Sequence, residues 1–412
     1  MRHITRFSEA HASLAQYIPD GSATGPYTLD IMQSLMQFLG NPQDKLKVIH
    51  VAGTSGKTST AYYIAGLLTD VGYTTGLSVS PHINEINERA QINMAGLPEA
   101  DYCKELGLFL DLVNQSDLKP SHFEVLVAFA YWLFDARKVD YAVIEVGLGG
   151  LLDGTNVVSR PDKIGVITDI GFDHMEVLGD TLSKIATQKA GIIHDHNEVF
   201  LNQQEMEVLD VVERAAQYHD ATVHVQRPHV DNRLDSLPVF QQRNFQLALS
   251  VVEHIVGPVS QDILTRALHT YIPGRMEIIS YQGKTLVLDG AHNEQKVRAL
   301  VDAMKQKFPD QSMTLLVSFG LNKQTSVLKS LELLRELSPS IIITQFNHAQ
   351  DELRTSIDVD TLAEHARYAG FESISTESDQ AKALEMLAKR DTDIGLIAGS
   401  FYLLENYKNT LL

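Results

Sequence analysis

Through the first third of the chain, short β-branched apolar runs alternate with longer segments whose apolar residues recur at helical spacing. That order is expected of parallel strands joined by crossover helices. Lys47 to Ala52 (KVIHVA) predicts a buried strand, followed by a glycine-rich turn and then by Thr58 to Val71, where Ile64, Leu67, Leu68 and Val71 share a face. Thr75 to Ser80, Tyr141 to Val146 (YAVIEV) and Lys163 to Ile170 (KIGVITDI) predict further strands, and Phe123 to Arg137 and Asp180 to Ala190 predict helices. Between about Asn202 and Val239 polar runs weaken the pattern, which reads as late sheet plus surface loops. Gln241 to Val256 is helical again, and Tyr271 to Arg275 (YIPGR) joins Pro and Gly in a hinge-like turn. From Lys284 the alternation repeats on a smaller scale through TLVLDGAHN, a helix to Phe308, TLLVSFG, a helix to Leu337, SIIIT, a helix near Asp360 to Ala369, and IGLIAGS. The reading is an α/β chain with a doubly wound N-terminal domain, residues 1–276, and a smaller α/β C-terminal domain, residues 277–412.

Composition narrows the function classes. Hydrophobic residues make up 44% of the 412 positions, enough for a real core in each domain and far from the disordered regime. Lys and Arg number 34 against 52 Asp and Glu, a net charge of −18 that repels nucleic acid and anionic membranes. The longest apolar run, Val125 to Phe134 (VLVAFAYWLF), is half of the roughly 20 residues a spanning helix needs. The single cysteine, Cys103, leaves no intrachain disulfide or cysteine-based zinc site. Met1 to Leu14 mixes Arg, His and Glu where a secretory signal needs an apolar core. A soluble, cytoplasmic protein is expected, with neither nucleic acid nor membrane as partner.

Four segments carry candidate chemistry. Gly53-Thr54-Ser55-Gly56-Lys57-Thr58-Ser59 lies between a strand and a helix, where glycine turns the chain tightly and backbone N–H groups at a helix N-terminus can face an anion. Lys57 would neutralise β- and γ-phosphate charge, and Thr58 or Ser59 would offer a hydroxyl to Mg²⁺. The strict phosphate-loop pattern wants glycine at Val51, so this loop is a shortened relative. Glu145 opens the turn EVGLGGLLDGTN (Glu145 to Asn156) at a strand's carboxyl end, where ligands of open α/β sheets gather and where a carboxylate can hold Mg²⁺. Asp173-His174 follows the strand KIGVITDI, and Lys189 lies about four helical turns later, so both can meet at one sheet edge.

The ordered motifs VAGTSGKTST (Val51 to Thr60), SPHINEINER (Ser80 to Arg89), FEVL (Phe123 to Leu126), EVGLGGLLDGTN, ITDIGFDHMEVLGDTLSKIATQKAGII (Ile167 to Ile193), QRN (Gln242 to Asn244), PGRME (Pro273 to Glu277), LDGAHN (Leu288 to Asn293) and GSFYL (Gly399 to Leu403) span nearly the whole chain. With them the chain resembles folylpolyglutamate synthase and its bifunctional dihydrofolate synthase relatives, within the Mur ligase superfamily. The resemblance implies a P-loop-type ATPase domain followed by a Rossmann-like one. It implies ligation of L-glutamate to the γ-carboxylate of a reduced folate through an acyl phosphate, with ATP and Mg²⁺, in a monomer.

By the same resemblance Lys57 contacts the ATP phosphates, and Thr58, Ser80, Glu145 and His174 hold Mg²⁺ directly or through water. Lys189 matches the family's carbamylated lysine, an anion that orients metal-bound groups. Asn244 and Arg275 match nucleotide contacts, and Asp289 and His292 serve the ATP and glutamate side from the second domain. Arg89, His292 and Ser400 fall to substrate binding. Domain closure would exclude water from the acyl phosphate.

Three departures are visible. Ser55 and Thr58 replace Asn and Gly of the usual GTNGKGS, Leu151 stands where arginine is common, and Asn322-Lys323-Gln324 replaces Asp-Lys-Asp. The alternatives are a bifunctional enzyme that also takes dihydropteroate, with GPYTLDIM (Gly25 to Met32) in the pterin region, and a diverged Mur-type amide ligase.

Overall fold

The computed structural model describes residues 4–18, 28–321, 326–349 and 353–411. Gly25, Pro26 and Tyr27 of the GPYTLDIM segment and the triplet Asn322-Lys323-Gln324 lie outside the described residues. The chain divides into two compact units, Met1–Leu237 with Gln241–Tyr271, and Pro238–Phe240 with Ile272–Leu412.

The described strands of the first unit are β1 (Lys47–Ala52), β2 (Thr75–Ser78), β3 (Gln91–Ile92), β4 (Ala95–Gly96), β5 (Tyr141–Glu145), β6 (Ile164–Ile167), β7 (Glu198–Asn202) and β8 (Thr222–Gln226). They form one sheet in the order β4-β3-β2-β5-β1-β6-β7-β8, parallel except at the β3 and β4 edge. β1 lies centrally, with Val51 opposite Glu145 of β5 and Val51 also opposite Val166 of β6. Strand alternation sorts the side chains. Ala142 and Ile144 of β5 join a core cluster with Phe109, Phe129 and Phe134 from the helices Glu99–Val113 and His122–Ala136. Val143 turns to the other face, where the helix Lys57–Val71 packs on the helix Val239–Val256 through Tyr63 and Phe245, ring centroids 5.0 Å apart. With helices on both faces the unit is doubly wound, as its alternating pattern predicts.

The second unit holds β9 (Glu277–Tyr281), β10 (Lys284–Asp289), β11 (Met313–Val317), β12 (Ser340–Ile343), the hairpin β13 (Asn347–Ala349) and β14 (Leu353–Thr355), β15 (Ser373–Thr376) and β16 (Ile394–Ala398). Its main sheet runs β15-β12-β11-β16-β10-β9, with only β9 antiparallel to its neighbour among the described residues. Val287, Leu315, Val317, Ile341, Ile343 and Leu396 form its core with the helices Glu294–Lys307 and Val327–Arg335. A buried ion pair, Lys408 Nζ to Glu277 at 2.6 Å, ties the helix Phe401–Leu411 to β9.

Two elements differ from the sequence reading. The stretch expected to be late sheet plus surface loops holds a late strand, β8, but also a helix, Met206–Tyr218, whose Val208, Leu209, Val212 and Ala216 are buried; their helical spacing was masked by the acids Glu205, Glu207, Asp210 and Glu213 around them. The strands expected to reach Ser80 and Ile170 stop at Ser78 and Ile167, the second because Thr168 and Asp169 turn to bond the glycine loop instead. No helix of the described residues is long and apolar enough to cross a membrane.

Candidate active site

The ends of the parallel strands β1, β2, β5 and β6 and the segments that follow them, at one carboxyl edge of the sheet, carry Lys57, Thr58, Ser80, Glu145 and His174. After β1 the chain turns through Gly53 (φ 151°) and Gly56 (φ 91°), and the helix begins at Lys57. Both glycines are required by close approach. A Cβ on Gly53 would lie 1.8 Å from Thr168 Oγ1, and one on Gly56 would lie 2.3 Å from Asn244 Oδ1. The buried Asn244 amide therefore sits against the glycine loop.

The loop is held from behind by segments that the motif reading passed over. The Asp169 carbonyl accepts from Thr54 N (2.8 Å) and Ser55 N (3.1 Å), so these two N–H groups are spent inside the protein and do not face an anion as the sequence suggested. The N–H groups of the first helical turn, from Lys57 to Ser59, have no intrahelical carbonyl to bond and are the donors that a helix N-terminus can offer to an anion. Thr168 Oγ1 donates to Ser55 O at 2.7 Å. The Asp169 carboxylate is gripped by Arg243 Nε at 2.9 Å to each oxygen, beside Asn244. Arg243 stands inside the QRN motif and Thr168 and Asp169 inside ITDIGFDH, so the signal existed without the role being legible.

Thr58, Ser80 and Glu145 converge. Glu145, the last residue of β5 and only 4% exposed, accepts from Thr58 Oγ1 at 2.8 Å through one carboxylate oxygen and from Ser80 N at 3.2 Å through the other. Lys57 Nζ and Lys189 Nζ both donate to Gly53 O, at 3.1 and 2.9 Å. Lys189 comes from the helix Leu182–Ala190 and is 3% exposed. The GLGG turn seats that helix: Gly150 leaves no room for a Cβ, which would lie 2.7 Å from Gln188 O, and Leu151 N donates to the same carbonyl at 2.7 Å. Asp153 closes the turn by accepting from Leu148 N and Thr155 N, and its burial raises its carboxyl above the usual range.

His174 adopts a left-handed backbone (φ 48°) and its imidazole lies 3.6 Å from Glu176 and 3.9 Å from Asp173. Arg89 is buried, its Nε donating to His82 Nδ1 at 3.1 Å. Hydroxyl and carboxylate oxygens at Thr58, Ser80 and Glu145 are the donor chemistry a hard divalent cation such as Mg²⁺ prefers, so the group implied by the sequence fits these residues.

In the second unit the predicted residues also cluster at strand ends. Asp289 ends β10 and accepts from Met276 N and Ala291 N, both at 2.9 Å; burial raises its carboxyl while the Arg275 charge opposes the rise. The Arg275 guanidinium lies 4.1 Å over the Phe401 ring. His292 Nδ1 meets Gly290 O at 2.8 Å and its Nε2 meets Lys296 Nζ at 3.1 Å. A carbonyl on one side and an ammonium on the other fix a neutral imidazole, protonated at Nδ1. Lys296 was not singled out in the sequence because it is one helical turn beyond the LDGAHN motif. Ser400 Oγ accepts from Tyr402 N at 3.2 Å, at the start of the last helix.

Comparison with known proteins follows the same division. Residues 51–244 match the Mur ligase middle domain and residues 274–401 the Mur ligase glutamate ligase domain. The dihydrofolate synthase/folylpolyglutamate synthase of Bacillus subtilis is 30% identical, over 92% of this chain and 94% of its own length. A folylpolyglutamate synthase of Lacticaseibacillus casei is 33% identical over 70% of this chain and 75% of its own. Among solved structures, the Mycobacterium tuberculosis folylpolyglutamate synthase complexed with ADP superposes with a TM-score of 0.86 at 26% identity, covering 98% of each chain.

Proposed function

We propose roles for these residues from one premise: the chain belongs to the dihydrofolate synthase/folylpolyglutamate synthase family of Mur ligases, and is an ATP-dependent amide-bond ligase that joins glutamate to a folate γ-carboxylate. The observation that carries the assignment is the meeting of Thr58, Ser80 and Glu145 beside a loop whose Gly53 carbonyl gathers two lysines.

Phosphoryl transfer is mostly positioning and charge neutralisation. The first helical turn from Gly56 to Ser59, with Asn244 beside it, cradles the ATP phosphates, and Lys57 supplies the cation. Thr58, Ser80, Glu145 and His174 hold Mg²⁺, which when bound neutralises the phosphate oxygens. Lys189 is carbamylated: a carbamate keeps one N–H on Nζ to donate to Gly53 O, and it exchanges the buried ammonium for an anion that the neighbouring Lys57 ammonium and a bound Mg²⁺ would offset. Arg89 serves the folate side. On the second unit Arg275 and Asp289 serve the nucleotide, and His292 with Ser400 serves glutamate, His292 Nε2 holding the Lys296 ammonium beside it. The buried Cys103 suits a reducing cytoplasm, and a monomer is the state that the family resemblance implies. Dihydropteroate is the second acceptor to test, since the Bacillus subtilis relative carries both activities in its name.

The test is ATP-dependent incorporation of labelled glutamate with Mg²⁺, run on tetrahydrofolate, methylene-tetrahydrofolate and dihydropteroate, with mass spectrometry of the products. Glutamate on the folates is the expected result, and product from dihydropteroate makes the enzyme bifunctional. ATP binding with no acceptor gaining glutamate overturns the folate assignment.

A further inference from the structure

The ligase chemistry leaves one imidazole and carboxylate set unused. Glu198 opens β7, His224 sits in β8, and His254 lies in the last turn of the helix Val239–Val256. The register places Phe200 opposite His224 and Glu198 opposite Thr222, so Glu198, Phe200 and His224 share one face of the sheet. It is the face opposite Val199 and Leu201, which are packed into the core beneath the helices Leu182–Ala190 and Met206–Tyr218. One ligand atom from each of Glu198, His224 and His254 lies within 4.8 Å of the other two. His224 Nε2 and Glu198 Oε2 already meet at 2.5 Å. The Phe200 ring stacks on His224 (centroids 4.5 Å apart, planes at 17°) and stands edge-on to His254 (5.3 Å, 67°). Contact with the one Phe200 ring therefore holds both imidazoles on the same patch of the sheet as Glu198.

We propose that Glu198, His224 and His254 bind one divalent transition-metal ion of the Zn²⁺ type. Two imidazoles and a carboxylate suit zinc, copper, nickel or cobalt and do not suit the hard Mg²⁺ of the phosphate site. Zinc–ligand bonds of about 2.0 to 2.2 Å set tetrahedral ligand atoms roughly 3.3 Å apart. The set reaches that spacing from its 4.8 Å limit by side-chain rotation, with loss of the proton shared between His224 and Glu198. The exposed position of His254 leaves the fourth coordination place to water. The ion fastens the carboxyl end of the helix Val239–Val256 to β7 and β8. The same helix carries Arg243 and Asn244 about 15 Å away by its rise per residue, so the ion braces the helix that holds the glycine loop without touching the reaction.

The experiment is calorimetric titration of chelator-treated full-length protein with ZnCl₂ in excess Mg²⁺, so that the oxygen-donor site stays satisfied. One saturable site per chain is expected, and a Co²⁺-loaded sample should show the visible absorption of a four- or five-coordinate ion. His254→Ala changes an exposed side chain and Glu198→Gln keeps the side-chain shape, so both variants fold. Each should weaken Zn²⁺ binding about ten-fold or more. His196→Ala, an exposed histidine outside the set, should leave it unchanged. Absence of a saturable site in the parent protein, or affinity unaltered by both His254→Ala and Glu198→Gln, reduces the cluster to a plain ion pair and overturns the proposal.

Discussion

Replacing Gly56 with alanine tests whether the glycine loop is shaped by Asn244. Two costs are separable. At φ 91° a Cβ sits in the left-handed region, worth about 1 to 2 kcal/mol for an L-residue. The added methyl would also lie 2.3 Å from Asn244 Oδ1 and 3.1 Å from its Cγ, and that side chain is 3% exposed, so it has little room to retreat. Overpacking of that kind costs about 1 to 3 kcal/mol. Gly56→Ala should therefore lower stability by about 2 to 5 kcal/mol, read from urea unfolding, and should weaken ATP binding in calorimetry because the loop is displaced. The Gly56→Ala/Asn244→Ala double variant isolates the second cost. With the amide gone only the backbone strain remains, so the double variant should be more stable than the sum of the single losses by about 1 to 3 kcal/mol. Additivity within about 0.5 kcal/mol would refute the contact as the reason for glycine.

Lys189→Ala should abolish glutamate ligation while ATP binding stays measurable, and parent protein in labelled bicarbonate should show a carbamate resonance that the variant lacks; unchanged turnover removes Lys189 from the mechanism. Lys408→Met leaves Glu277 buried without its cation and should cost about 3 to 5 kcal/mol in denaturant unfolding, whereas Lys408→Met/Glu277→Gln should recover much of the loss; equal losses would show the pair is not coupled. Burial, with the Lys163 charge nearby, lowers the His194 imidazole to about 4, below its unfolded value. Its contribution to stability is thus fully present above the ordinary histidine range and is lost as pH falls toward 4. His194→Gln should flatten the thermal stability profile between pH 6.5 and 4, and a profile parallel to that of the parent protein would exclude His194 as a source of the slope.

Much of the fold was legible because strand and helix periods are local. KVIHVA emerged as β1 with both ends as read, since five successive buried residues after Lys47 leave no other solution. The helix Met206–Tyr218 escaped because its apolar stripe is interrupted by acids at every turn, and burial against the neighbouring helix, not propensity, decides it. The site was half legible for a similar reason. Lys57, Thr58 and Glu145 announce themselves by residue type and by position at strand ends. Asp169 does not, because its most telling act is to offer a backbone carbonyl to Thr54 and Ser55, and a carbonyl has no letter in the sequence. Arg243 is likewise invisible until its partner 74 residues away is known.

The loop's dependence on those distant segments bears on modularity. Seven residues, Gly53 to Ser59, resemble a cassette that could be cut out and set between any strand and helix. Here their shape is written elsewhere: in the carbonyl of Asp169, which holds two loop N–H groups, and in the hydroxyl of Thr168 and the amide of Asn244, which fill space that a side chain on the loop would otherwise claim. A transplant carrying only the seven residues would inherit the lysine and lose the curvature. A bulkier residue at Thr168 or Asn244 would press on the glycine it faces, whereas a smaller one would leave that glycine held by its backbone angle alone.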